Sequence, residues 1–396
     1  ADLKKDGRTS CIQMGRNPKI NSSYLIVHAA DGSNIDQINF FNTESVHPWL
    51  TEDLNDDGDL DVFVVASRGD SLFAVIVGAF HANHSTPLLT IPLYQPAPRK
   101  GGAASDVTAR LWGFIERGGE QRPLLIATIN AEFSRTPRQV MAFDLSTGRR
   151  IWSFATGAPV FTMAFASPVT DSMPAIFLGT CSPDNGADTN GFNDAHSYLV
   201  ALSGQGKLLW SRKMGEKFSN VLVSFSDFDG DGGKDVISYV MPGSSGPEKF
   251  CLVASNPQTG GEIARKEFNE PMSGYTNFGT IAKNRRFQQF AFCSQAGEMM
   301  LIDHDFSLLA RKEIGARVAD IALYDLTGSG EQDLVVTLDG GGMLLMRHDL
   351  EPLAFIPPTE LPEEYSGIAI SQGPDGTHHL LLQGGNSTLV GHLEAN

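Results

Sequence analysis

The stretch "DFDGDGGKDVISYV", residues 227–240, decides how the rest of the chain is read. Aspartates stand at 227, 229, 231 and 235 with glycines between them, and an apolar β-branched run follows at once. Four carboxylates in nine residues repel one another unless a cation neutralises them. Oxygen ligands at positions 1, 3, 5, 7 and 9 of a turn wrap a hard cation of high coordination number, which means Ca²⁺. The side chains are Asp227, Asp229, Asp231 and Asp235, with the backbone carbonyl of Gly233. Gly232 follows the third ligand, where the chain must turn sharply.

The pattern recurs. "DLNDDGDLDVFVVAS" at 53–67 offers Asp53, Asn55, Asp57 and Asp61, with the carbonyl of Asp59. "DLTGSGEQDLVVTL" at 325–338 keeps the frame with fewer acids: Asp325, Thr327, Ser329 and Asp333. Fewer carboxylates bind a cation less tightly, so this turn is expected to hold its shape by hydrogen bonds. "DLKKDGRTSCIQM" from Asp2 is degenerate too, with Lys4 and Lys5 offsetting its acids. The interval from Asp2 to Asp53 is 51 residues, and that from Asp227 to Asp325 is 98, close to two such units. A period near 50 built of strands is the mark of a propeller blade.

A second signal alternates with the first. "AFDLSTGRRIW" at 142–152, "ALSGQGKLLW" at 201–210 and "ASNPQTGGEIA" at 254–264 each read strand, Gly-containing tight turn, strand. Trp152 and Trp210 fall at matching places, where a large ring fills the gap between neighbouring sheets. Together the signals give a blade: a strand entering the acidic turn, an apolar strand, a strand like "VMAFDL", and a strand like "IWSFA". Full units are expected at 46–104, 105–158, 159–217, 218–271, 272–316 and 317–364. Residues 1–45 start inside an acidic turn, and 365–396 give three strands. The fold class is therefore all-β, one closed β-propeller domain over 1–396 with four-stranded antiparallel blades. Seven blades are expected, with the two ends combining into one; eight is the alternative. The start inside a motif implies trimming from something longer, with any targeting segment absent or removed.

These turns resemble the FG-GAP repeat of integrin α-chain heads and bacterial surface proteins, and "AFDLSTGRRIW" resembles the repeat of quinoprotein-like propellers. The resemblance implies a propeller whose calcium is structural and lies in a hairpin on the lower face. It carries no activity over: quinone-dependent dehydrogenases of this repeat type use an adjacent Cys pair, which this sequence lacks.

Composition narrows the partners. Acids outnumber bases 46 to 30, a net charge of −16, which disfavours nucleic acid and anionic lipid and suits cations and basic proteins. The longest apolar runs fall far short of the roughly 20 residues that span a bilayer. Cys11, Cys181, Cys251 and Cys293 form no CxxC pair and read as buried thiols, a disulfide being the alternative. "HANH" with His81 and His84, the pair His378 and His379, and "GGG" at 340–342 carry no catalytic pattern. Calcium turns point to export, extracellular or periplasmic, with a possible membrane-anchored parent protein. The sequons at Asn21, Asn83 and Asn386 matter only in a eukaryotic secretory pathway.

The insertion "CSPDNGADTNGFNDAHSY" at 181–198 is the expected recognition surface. It falls between the second and third strands of one blade, on the upper face. Asp184, Asp188, Asn190, Asp194 and His196 are its candidate ligand residues, joined by Arg135 and Arg138 from the loop at 130–139. Its polar composition predicts a solvated loop outside the blade core, so that shortening 184–194 leaves the fold intact. The functional expectation is a non-catalytic binding module, a receptor or sensor ectodomain or a subunit of a larger assembly, with a protein or glycan partner. The alternative is a propeller enzyme such as a polysaccharide lyase.

Overall fold

The computed structural model describes residues 11–17, 19, 22–28, 33–78, 86–96, 106–117, 122–131, 135–166, 174–243, 249–269, 288–294, 296–327, 329, 331–361, 365–372, 378–384 and 387–393. The Asp2 turn, the three sequon asparagines, His81 and His84 lie outside them.

Among the described residues the strands form eight antiparallel meanders and one small hairpin. The second sheet shows the pattern: Ser45–Glu52, Asp61–Arg68, Ser71–Gly78 and Leu89–Tyr94, hydrogen-bonded in sequence order. The third (Val107–Ile115, Leu124–Ala131, Arg138–Asp144, Arg150–Ala155) and the fourth (Val160–Phe165, Pro174–Thr180, Ser197–Ser203, Leu208–Gly215) repeat it. So do the fifth (Asn220–Ser226, Asp235–Met241, Phe250–Ser255, Glu262–Phe268) and the seventh (Val318–Tyr324, Asp333–Leu338, Met343–Met346, Pro352–Ile356). The sixth shows three strands, Phe290–Cys293, Glu298–Ile302 and Leu308–Glu313. Among the described residues the chain ends do not pair with each other. Cys11–Asn17, Ser22–His28 and Asn34–Phe41 form the first sheet, and Tyr365–Gln372, His378–Gly384 and Ser387–Leu393 the eighth. Among the described residues the larger sheets number eight, the alternative to seven, because each end supplies three strands that pair among themselves.

Burial follows strand position. Second and third strands are buried on both faces: every residue of Ser197–Ser203 and of Asp235–Met241 is buried. Fourth strands face solvent, as in Glu262–Phe268, where only Phe268 is buried. A run apolar on both faces needs a neighbouring sheet on each side, and the cores supply this. One unites sheets one and two through Val27, Ile38, Val64 and Val75. The next unites two and three through Phe63, Ile76, Leu125 and Met141. Further cores join three to four, four to five, five to six and six to seven. Stacking of four-stranded sheets in series through apolar cores is the propeller arrangement.

Two devices fix the spacing between sheets. Trp152 of the third sheet donates its indole N–H to the carbonyl of Gly204 in the fourth, at 3.1 Å. Trp210 does the same one sheet on, to the carbonyl of Pro257 at 2.9 Å. Each ring lies against a glycine of the next sheet's third hairpin: a Cβ on Gly206 would stand 2.5 Å from Trp152, and one on Gly260 2.6 Å from Trp210. On the inner strands, Asn130 bridges to Val160 with both its amide groups, and Thr162 Oγ1 donates to the carbonyl of Val221. In the fifth, sixth and seventh sheets the register position of the tryptophan is held by Ala264, Ala310 and Ala354.

The meander puts the connections between first and second strands, and between third and fourth, at one edge. Contacts agree: Arg122 reaches Asp56 across sheets, and Arg117 reaches Asp144, within that edge. The connections between second and third strands, and between sheets, share the opposite, upper edge. Among the described residues no helix is long and apolar enough to cross a membrane.

Candidate functional site

The turn at 227–235 brings its side chains together. Oxygen atoms of Asp227, Asp229 and Asp231 lie within 4.8 Å of one another. The backbone already holds them there. Gly232 N–H donates to Asp227 Oδ2, Asp231 N–H to Asp229 Oδ1, and Gly233 N–H to Asp231 Oδ1. Gly230 and Gly232 have φ of 79° and 96°, the left-handed region where a side chain is disfavoured. Asp235 accepts from Phe228 N–H at 3.0 Å, and Phe228 packs into the core between sheets five and six. Burial, then the charges of Asp229 and Asp231, push the Asp235 carboxyl above its usual range. Oxygens on opposite sides of a Ca²⁺ ion stand about 4.6–5.2 Å apart, so this donor set fits one. Asp227, Asp229 and Asp231 would hold it, and it would offset the repulsion among their carboxylates; Asp235 and the Gly233 carbonyl, expected from the sequence as further ligands, are not in the converging group.

The turn at 53–61 has the same frame and a different interior. Asp53 accepts from the N–H groups of Asp57 and Gly58, and Asp61 from Leu54 N–H at 2.7 Å. Here the amide of Asn55 donates to Asp57 Oδ2 at 2.8 Å, and Asp57 Oδ1 accepts from Asp59 N–H. Asp61 is 1% exposed, and burial first, then Asp57 and Asp53, push its carboxyl up to about 6. The donors expected at 53, 55, 57, 59 and 61 are thus in one turn, with Asp57 held by Asn55.

At 325–333 hydrogen bonds are abundant. Asp333 Oδ2 accepts from Leu326 N–H, Thr327 N–H and Thr327 Oγ1, and Asp333 Oδ1 from His348 N–H. His348 Nε2 lies 2.6 Å from Glu331 Oε2, so a titratable base from the neighbouring hairpin faces the acids of this turn.

The insertion at 181–198 is built into the scaffold, against the expectation of a solvated loop. It contains a hairpin, Asp188–Thr189 with Phe192–Asn193. Phe192 is 2% exposed and packs edge-on to Phe154 and Tyr198 in the core between sheets three and four. The Phe192 carbonyl lies where a Cβ on Gly157 would be, at 1.8 Å, so only glycine lets it dock. Asp194 and Arg138, both ligand candidates from the sequence, have wholly buried side chains that pair with each other at 2.8 Å. Arg138 also donates to the carbonyls of Ala131 and Gly157, and to Asn185 Oδ1. Asp194 Oδ1 accepts from Gly186 and Ala187 N–H. Shortening 184–194 therefore removes the counter-ion of a buried guanidinium.

The other candidates stay nearer the surface. Asp184 pairs with Lys217 at 2.7 Å, and His196 Nδ1 lies 2.8 Å from Glu216 Oε2. Asn190 donates to the Ala155 carbonyl, while Asp188 and Arg135 are exposed, Arg135 passing close to Gly186. Cys181, Cys251 and Cys293 are free thiols, the last two buried.

Sequence reasoning missed a group between the first strands of sheets two and three. The Arg110 guanidinium lies 4.7 Å from the ring centres of both Trp49 and Trp112. Burial pulls the Arg110 guanidinium below its usual range. Trp112 is anchored by its indole N–H on Thr128 Oγ1. Beside them opens a cavity of about 710 Å³ whose lining includes Glu44, His47, Trp49 and Asp70. The signal was present as two aromatic-bearing first strands, "HPW" at 47–49 and "ARLW" at 109–112, but only the pairing of sheets brings them together.

No protein-family model matches the chain, and no curated protein matches it in sequence. Solved structures do resemble it. Sqt1 of Saccharomyces cerevisiae superposes with a TM-score of 0.57 at 10% identity, over 96% of this chain and 94% of that one. The C-terminal WD40 domain of Sif2 gives 0.55 at 10% identity, over 99% and 94%. A europium-containing methanol dehydrogenase gives 0.56 at 10% identity, over 95% and 81%. At such identities the likeness is one of fold: like WD40 domains, this chain is a β-propeller.

Proposed function

We propose that this chain is a non-catalytic, calcium-stabilised β-propeller binding module. In this reading its acidic turns are FG-GAP-like and structural, and its upper edge meets a protein partner. It works as the ectodomain of a receptor or sensor, or as a subunit of an extracellular or periplasmic assembly. The observation that carries the reading is the convergence of the Asp227, Asp229 and Asp231 oxygens within 4.8 Å at the edge opposite the insertion. A cation there braces a blade and leaves the other edge free for recognition. The charged side chains around the insertion support the same reading, since Arg138, Asp194, Asp184 and His196 all face protein partners within the chain. A lyase needs such groups clustered toward its substrate.

Calorimetric titration of the chelator-treated chain with Ca²⁺, beside incubation with uronic-acid polysaccharides, tests it. Saturable calcium binding lost in Asp231→Ala, with no unsaturated product from the polymer, is the expected result. Unsaturated sugar product, or no calcium binding, overturns it.

A further inference from the structure

The cavity between the second and third sheets lies on the upper edge that the proposed function assigns to recognition, and its lining is specific in kind. Glu44 and Asp70 are acceptor-only carboxylates. The hydroxyls of Ser45 and Ser67 bond each other at 2.8 Å, so they are turned to one another. Trp49 is 36% exposed, unusual for so large an apolar ring, and forms a wall of the cavity. Among the described lining residues His47, from the same strand, is the one whose side chain can carry positive charge. Arg110 lies over the Trp49 ring and is not part of the lining. Two carboxylates beside an aromatic wall complement a ligand that is positively charged and rich in donors. A guanidinium has five donors and no acceptor, and it stacks on aromatic faces. The volume, about 710 Å³, is in the range of preformed ligand sites. The chain's charge of −16 adds a long-range attraction for a basic partner.

We infer that this cavity receives an arginine side chain of a partner protein, with Glu44 and Asp70 as its carboxylate acceptors and Trp49 as its stacking wall. The inference rests on the binding-module reading of the upper edge. Arg110, locked over Trp49 and Trp112, holds the wall upright and makes it a rigid platform. Rigid aromatic anchors beside charged acceptors are the composition of interface hot spots.

The test uses Nα-acetyl-arginine methylamide as probe, with the citrulline analogue, of the same shape and no charge, as control. Binding to the whole chain is followed by calorimetry. The arginine probe is expected to bind saturably, and the citrulline probe roughly tenfold more weakly or worse, a difference of about 1.4 kcal/mol. The double variant Glu44→Gln, Asp70→Asn should lose the preference for arginine. Trp49→Leu should weaken both probes alike. Both variants alter exposed or half-buried side chains, and unchanged thermal unfolding checks that they fold. Equal binding of the two probes, an unaltered preference in the double variant, or no saturable arginine binding overturns the assignment. Should the arginine probe fail in a chain that still binds calcium at 227–235, the pocket is wrong and the module reading stands. Turnover of a uronate polymer overturns the module reading whatever the probe does.

Discussion

Arg138 and Asp194 are 56 residues apart in the chain and 2.8 Å apart in space, each with a side chain wholly out of water. The pair ties the insertion of the fourth sheet to the third strand of the third. Its net worth against an apolar pair is small, because two charges must be desolvated, but breaking it is costly. Asp194→Ala is expected to destabilise by about 3–5 kcal/mol, since it strands a buried guanidinium. Adding Arg138→Met to that variant should recover part of the loss. Denaturant unfolding midpoints measure both. A loss of only about 1 kcal/mol for Asp194→Ala, the scale of an exposed pair, would show that the site admits water.

The Trp152–Gly206 contact predicts a second asymmetry. Gly206 has φ of 75° and no room for a Cβ, whereas Gly315, with φ of 73°, has nothing within 4 Å. Gly315→Ala then incurs backbone strain alone, about 1–2 kcal/mol. Gly206→Ala adds the collision with the indole, for about 2–5 kcal/mol in all. In a Trp152→Ala background the further cost of Gly206→Ala should lose the collision term and fall toward the Gly315→Ala value. Equal effects of the two single substitutions would mean that the ring yields freely.

Much of the fold was legible because one blade's chemistry is written repeatedly. The acidic turn, the apolar second strand and the Gly hairpin each have local residue requirements, and their period is read directly. The blade limits at 46–104, 105–158, 159–217, 218–271 and 317–364 match five four-stranded sheets, four of them wholly and the first but for Ser45. The ends were harder. Nothing local tells three terminal strands that they pair with one another and not with the opposite terminus. The insertion was misread for a related reason. Its letters are polar, but Phe192 has its core partners in Phe154 and Tyr198, and Asp194 its counter-ion in another sheet. Trp49 and Arg110 likewise meet only through sheet packing, with 60 residues of chain between them.

The hairpin of the third sheet offers a clean pH experiment. Asp144 Oδ1 accepts from Ser146 and Thr147 N–H, and Asn256 Oδ1 accepts from Gln258 and Thr259 N–H in the matching hairpin of the fifth sheet. Asp144→Asn therefore keeps the turn and removes only the charge that pairs with Arg117 at 2.6 Å. That guanidinium is the chief cause holding the Asp144 carboxyl below its usual range. A depressed folded pKa gives stability that is fully present above the unfolded value, near 4, and is lost as pH falls through the folded one. The wild type should exceed Asp144→Asn by about 1–2 kcal/mol at neutral pH, with the gap closing as the acid limb is entered. A gap independent of pH would show that the carboxylate's charge is not what stabilises this hairpin.

Calcium itself gives the last test, and the three acidic turns differ enough to make it discriminating. A ligand that binds the folded chain alone stabilises it by RT ln(1 + [L]/Kd), about 2.7 kcal/mol per site at a hundredfold excess over Kd. The melting temperature should then rise with the logarithm of free Ca²⁺ and fall in chelator. Asp231→Ala should remove much of that response, since its oxygen is one of three within 4.8 Å. Asp57→Ala should remove a smaller part, because Asn55 already engages Asp57 and a cation there must displace that amide. Ser329→Ala should leave the response unchanged, for only Asp325 and Asp333 are acids among the four side-chain ligand positions of the 325–333 turn, which is held through Asp333 by Leu326, Thr327 and His348. Melting curves that coincide in chelator and in millimolar calcium would mean that the hydrogen bonds to Asp227, Asp229 and Asp231 suffice to shape the turn, and that the repulsion among its carboxylates is relieved by solvent alone.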